Sequence, residues 1–208
     1  MKLQRLAGFG PLAAFVSAAA LFVFLTLEQF GSAIGQGSSA VYIRVVIVFV
    51  LALWLWIAAL NVVVFDLEWM EHPATSTAWF QVARWSTLVA LVVPPLLLVV
   101  GLTNANQFFP ILYCLTFIAV GLSLGIHNVD ARRAGILRGP LPWLGAFLSI
   151  GYLIGGIGFG LLYFTTSLVV VTWNALQLGH LLYLIWAVWM GIHLTRSRAV
   201  TPAAAPAH

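Results

Sequence analysis

Six long, uninterrupted apolar runs constrain the fold of this chain more than any other feature. A helix needs about 20 apolar residues to cross a bilayer, and these runs are uniformly apolar rather than alternating, so they predict helices and not barrel strands. The sequence therefore predicts an all-α, polytopic integral membrane protein, with one six-helix transmembrane domain over residues 1–200 and a flexible, Pro/Ala-rich tail at 201–208. The predicted spans are Phe9–Leu27, Val41–Phe65, Ala78–Leu102, Phe108–Ile126, Leu141–Phe164 and Leu168–Leu194.

Composition identifies lipid as the principal partner of the chain. Only 7% of the residues are charged and 62% are hydrophobic, whereas a soluble domain carries about 25% charged residues. The net charge of +4 does not indicate a nucleic-acid partner, because the basic residues lie in short loops beside apolar runs rather than on one basic face.

The Lys and Arg residues predict the orientation. With the N-terminus inside, Arg44 is the one basic residue on the outer side. The positive-inside rule thus favours an N-in, C-in topology, and we expect a bacterial cytoplasmic (inner) membrane. The first run continues past the small residues 17–20 to Leu27, which favours a retained helix over a cleaved signal peptide. The basic residues on the inner side are Lys2, Arg5, Arg84, Arg132, Arg133, Arg138, Arg196 and Arg198.

A polar row on the sixth predicted helix is the first candidate site. Asn174, Gln177 and His180 are spaced by three, so they share one side of a helix. Lipid disfavours such a row, which is expected to face another helix or a cavity. It is interpreted either as an interhelical hydrogen-bond ladder, as a polar pore lining, or as a ligand, haem or pigment site with His180 as the axial group.

Two further histidines suggest a cofactor site at the inner side. His127 closes the fourth span and His193 nearly closes the sixth. A bis-histidine haem requires two imidazoles at one depth on facing helices, which this pair satisfies in the N-in topology. The identity of any cofactor stays open between haem and pigment.

The acidic residues lie outside the middle of the predicted spans. An ion-coupled transporter usually needs an ionisable group near the midplane, so coupled transport is disfavoured. Glu68, Glu71 and His72 form an inner patch with His127 and Asp130. The patch is interpreted as ion pairing with the Arg-rich loop or, alternatively, as a membrane enzyme site; no catalytic motif or metal site is assigned.

Glycines on the fifth helix predict close helix packing. Gly151 and Gly155 form one small-xxx-small pair and Gly156 and Gly160 form another, on different faces. We expect a helix clamped between two neighbours, one of them from another subunit, and hence a homo- or hetero-oligomer. Pro94-Pro95 predicts a kink in the third helix.

One short segment resembles a known family. Arg84-Trp85, followed by Pro94-Pro95 and three leucines, resembles the third helix of microbial rhodopsins over about a tenth of the chain. The spacing differs by at least one residue, and six spans are predicted instead of seven. The last helix has no lysine for a retinal Schiff base, since Lys2 is the only lysine. No function is carried over from this resemblance.

Three function classes remain. The first is a non-catalytic or cofactor-binding membrane subunit of a larger membrane complex for electron transfer or pigment binding, and it is the class we favour. The second is a channel or facilitator that transports a small neutral solute past Asn61, Asn174, Gln177 and His180. The third is a membrane enzyme with a Glu/His/Asp site on the cytoplasmic face.

Overall fold

The computed structural model describes residues 8–34, 39–70, 78–103, 106–162 and 169–200. Six helices in this part of the chain are long and apolar enough to cross a membrane, which confirms the all-α prediction of six membrane-spanning helices. A short 3₁₀ turn at Asn106–Phe108 precedes the fourth helix. The helices are α1 (Gly10–Ile34), α2 (Ser39–Met70), α3 (Ala78–Leu102), α4 (Phe109–Arg133), α5 (Leu141–Leu162) and α6 (Val169–Val200).

Four helices, α1, α2, α4 and α6, extend at their C-terminal ends beyond the apolar runs that predicted them. α1 continues to Ile34 and α2 to Met70, so Glu28 and Asp66 lie inside helices rather than in loops. Backbone hydrogen bonding propagates past a charged side chain, whereas an apolar run ends at it. Glu28 therefore belongs to the apolar span Gly10–Ala33, near its end and outside its middle. α3 is continuous through Pro94 and Pro95, and the kink stays a prediction.

The helices form a closed ring in which each packs antiparallel to its neighbours in the chain and α6 packs back on α1. Contacts between the two ends establish the antiparallel order: Gly31 of α1 meets Val45 of α2, and Gly191 of α6 meets Phe15 of α1. We call the end where α1 begins and α6 ends the terminal end of the bundle, and the other the distal end. Large aromatic side chains fill the interior of the ring.

Both glycine faces of α5 are occupied by helices of the same chain. A Cβ at Gly151 would lie 2.9 Å from the carbonyl oxygen of Ala175 on α6, and one at Gly156 would lie 3.0 Å from the carbonyl oxygen of Cys114 on α4. α5 is thus held between two neighbouring helices, as expected, but both of them, α4 and α6, belong to this chain. Any contact with another subunit has to use a surface other than these two faces.

Gly151→Ala should destabilise the protein by about 1–3 kcal/mol, because the new methyl group meets backbone that cannot move aside. Gly179→Ala is the matched control at the same interface, since a Cβ there lies 3.4 Å from its nearest neighbour, an ordinary contact. Thermal unfolding in detergent compares the two. Equal melting temperatures for both variants would contradict the close α5–α6 approach.

Candidate functional site

His180 lies at the centre of the ring of helices, enclosed by aromatic side chains. Its ring centroid is 5.8 Å from Phe24 on α1, 6.2 Å from Trp56 on α2, 5.6 Å from Phe117 on α4 and 5.3 Å from Tyr152 on α5. All five side chains are fully buried. We call them the central aromatic cluster.

The polar atoms of this cluster lack partners. Neither ring nitrogen of His180 has a hydrogen-bond partner among the described residues, and the same holds for the Tyr152 hydroxyl. Leaving a buried polar group unpaired costs about 1–3 kcal/mol. The rings pack against the imidazole on four sides, so a porphyrin plane does not fit on its nitrogens without displacing them. The haem interpretation at His180 therefore gains no support from the packing.

The polar row of α6 does not stay on one interior face. His180 is fully buried, Gln177 is half-buried and Asn174 is exposed. Three residues advance a helix by less than one full turn of 3.6, so each step of three rotates the side chain further around the axis. Because Asn174 faces outward, the residues proposed to line a solute pathway do not converge on one interior channel.

His127 is buried at the terminal end and uses both ring nitrogens. Nδ1 lies 2.7 Å from the Ser123 carbonyl oxygen and Nε2 lies 2.9 Å from Oε1 of Glu68. The carbonyl can only accept, so Nδ1 donates, and the Glu68 contact then holds one further shared proton. His193 is half-buried, with Nε2 3.4 Å from the Ser197 hydroxyl. As His127 is arranged, neither nitrogen is available to a haem iron.

Only some residues of the inner acidic patch contact one another in the structure. Glu68 and His127 meet, whereas Asp130 pairs with Arg133 at 3.6 Å. Glu71 and His72 lie outside the described residues. Within the described ranges, no group of three or more His, Cys, Asp or Glu side chains is placed to hold a metal ion.

A second buried polar contact, between α4 and α6, is not predicted by the sequence. The indole nitrogen of Trp186 on α6 donates to Oδ1 of Asn128 on α4 at 3.0 Å, and Nδ2 of Asn128 donates to the Leu124 carbonyl at 2.9 Å. Gly145 of α5 lies directly against this amide. The hydrogen bond joins α6 to α4, and α5 packs against it through Gly145.

A cavity of about 310 Å³ opens at the distal end, between α1, α2, α4, α5 and α6. Ligand sites in proteins typically have volumes from about 300 to 1,000 Å³, mostly apolar walls and a few polar groups. The cavity has that composition, with aromatic rings as most of its large side chains. Its lining residues are Leu27, Glu28, Gly31, Tyr42, Val45, Val46, Phe49, Phe109, Pro110, Tyr113, Phe159 and Trp173.

Glu28 supplies the only carboxylate among the described residues that line this cavity. The Tyr113 hydroxyl donates to its Oε1 at 3.0 Å. Its Oε2 is buried and has no hydrogen-bond partner in the described part of the chain. Sequence reasoning missed Glu28 because the apolar run ends at Leu27, although no glycine or proline interrupts the helix until Gly31.

The cavity and the central aromatic cluster are neighbours along α1 and α4. Glu28 lies one helical turn after Phe24 on α1, and Tyr113 lies one turn before Phe117 on α4. The rings of Tyr113 and Phe117 are in contact, with centroids 4.7 Å apart. The cluster around His180 thus lies about one helical turn beyond the residues that line the distal cavity.

No protein-family model, curated protein sequence or solved structure matches this chain.

Proposed function

We propose that this chain is a non-catalytic, ligand-binding integral membrane subunit of a larger membrane assembly, and that its ligand occupies the distal cavity. The observation that carries the proposal is the cavity itself: about 310 Å³, walled by aromatic rings, with one carboxylate at its side. An unpaired polar atom at a cavity wall supports a ligand, because a bound molecule can supply the partner that the protein does not.

The Lys and Arg distribution supports an N-in, C-in orientation in a bacterial cytoplasmic membrane. In that orientation the distal cavity opens on the outer side of the membrane. The exposed aliphatic and aromatic side chains along α1, α3 and α6 provide surface for lipid and for a partner subunit.

Filling the cavity should abolish ligand binding. Gly31 lines the cavity, and a Cβ there lies 3.4 Å from Val45, so Gly31→Phe can place a ring in the cavity without backbone strain. The control is Val92→Phe, which adds the same ring at an exposed position on α3. Two fluorescent naphthalenes serve as probes, one carrying a trimethylammonium-methyl group and the other its neutral neopentyl isostere.

Equilibrium dialysis against matched detergent removes the contribution of micelle partitioning. We expect at least one probe to bind the wild type and Val92→Phe equally, and Gly31→Phe to lose about tenfold or more in affinity, since the ring occupies the site. Failure of both probes to bind the wild type, or equal binding to Gly31→Phe, would contradict a ligand site in the cavity.

A further inference from the structure

We infer that the distal cavity selects an organic cation, such as a quaternary or alkylated ammonium group, which this chain holds between the Glu28 carboxylate and the surrounding aromatic faces. The inference rests on the proposed ligand-binding function and specifies the chemistry of the ligand.

The unpaired carboxylate at the cavity wall favours a cationic ligand. Glu28 lies inside a membrane-spanning helix, six residues before the end of α1. An ionised carboxylate in an apolar surrounding is strongly disfavoured unless a counter-charge or several donors are present. Tyr113 provides one donor to Oε1, and Oε2 is left unpartnered. Among the described residues that line the cavity there is no Lys, Arg or His to serve as the counter-charge.

The aromatic rings of the cavity wall also favour a cationic ligand. Six of the lining residues carry phenyl, phenol or indole rings, and several of them touch each other: Tyr113 and Phe159 have centroids 5.4 Å apart, and Phe159 and Trp173 have centroids 6.1 Å apart. The face of an aromatic ring attracts a cation, and cages of such rings recognise quaternary ammonium groups. The ring-bearing residues are Tyr42, Phe49, Phe109, Tyr113, Phe159 and Trp173.

The small number of oxygen ligands favours an organic over an inorganic cation. Hard metal ions take about six or more oxygen ligands, whereas this cavity offers one carboxylate and the hydroxyls of Tyr42 and Tyr113. A weakly hydrated ammonium group with alkyl substituents needs no such ligand shell. Its methyl groups contact the rings while its charge lies beside the Glu28 carboxylate at the cavity wall.

Two sources can present this group: a free organic cation, or the headgroup of a choline or ethanolamine lipid at the membrane surface. Probe binding in nanodiscs that hold the same fraction of anionic phosphatidylglycerol, with the remainder either phosphatidylcholine or an uncharged glycolipid, separates them. Weaker probe binding in the phosphatidylcholine discs identifies the lipid headgroup as the competitor. Equal binding in both discs identifies a free cation. Either result upholds the ammonium chemistry.

The deciding experiment compares the trimethylammonium probe, its neutral neopentyl isostere and a naphthylmethanesulfonate anion on the wild type and on Glu28→Gln. We expect the cation to bind the wild type about 10- to 100-fold more tightly than the neutral isostere, as for other charge-assisted contacts. Glu28→Gln should remove most of this difference and leave the affinity for the neutral probe within about twofold.

Equal binding of the cationic and neutral probes to the wild type would overturn the cation assignment while leaving the proposed ligand site intact, provided that Gly31→Phe still blocks both. Preference for the anion, or an unchanged cation affinity in Glu28→Gln, would also overturn it. If Glu28→Gln does not fold, the selectivity of the wild type among the three probes still decides the question.

Discussion

His127→Leu should destabilise the protein by about 3–5 kcal/mol, because it leaves the largely buried Glu68 carboxylate without its partner. The imidazole is almost completely buried and contacts both Glu68 and the Ser123 carbonyl, as its two nitrogens lie 2.9 Å and 2.7 Å from these oxygens. Removing one member of such a pair costs more than the pair itself contributes. Thermal or chemical unfolding in detergent measures the loss.

A double-mutant cycle tests the cause of this loss. Glu68→Leu combined with His127→Leu should be more stable than His127→Leu alone, since no uncompensated charge remains. Asp130→Asn is the control for an exposed pair, because Arg133 is 75% exposed, and it should cost less than about 1 kcal/mol. Simple additivity of the two Leu substitutions would show that Glu68 and His127 do not interact.

Gly145→Ala should lower stability by about 3 kcal/mol or more, because a methyl group there overlaps the buried Asn128 amide. That amide cannot move without losing its bonds to Trp186 and to the Leu124 carbonyl. Unfolding of purified protein in detergent measures the loss. The near-ultraviolet circular dichroism of the tryptophans should change as well, since Trp186 loses its acceptor.

Gly160→Ala provides the matched control on the same helix. A Cβ at that position would meet the Cys114 sulfur at 3.0 Å, a side-chain atom that can shift. Its effect should be less than half that of Gly145→Ala. A Gly145→Ala protein with wild-type stability would mean that α4 and α5 are further apart at this level than the structure shows.

The architecture could be predicted from the sequence because lipid allows few solutions. An apolar run of sufficient length has to satisfy its backbone internally, and a helix does so within itself. This reasoning identified all six helices. The glycines of α5 predicted close packing on two faces, but one neighbour was expected from another subunit and both belong to this chain. The reasoning from apolar runs failed at the helix ends, where backbone hydrogen bonding carries α1 past Leu27 and α2 past Phe65.

The candidate site is harder to predict from the sequence than the architecture. His180 was selected as the centre of a polar row, and it does lie at the centre of the bundle. Its neighbours there come from four other helices, and single-helix spacing carries no information on them. Glu28 falls outside the predicted first span because that span ends at the preceding leucine. Its partner Tyr113 lies 85 residues away in the chain. Contacts between residues so far apart in the chain depend on how the helices are arranged in the ring, and the periodicity of a single helix does not specify that arrangement.

Photoaffinity labelling shows whether a ligand occupies the distal cavity. A trimethylammonium naphthalene that carries a diazirine is irradiated with the full-length protein in nanodiscs, and the labelled peptides are identified by mass spectrometry. We expect labels on cavity residues such as Glu28, Phe49 and Tyr113, and their loss in Gly31→Phe. Labels confined to outward-facing positions such as Val92 or Asn174, unchanged in Gly31→Phe, would contradict a ligand in this cavity.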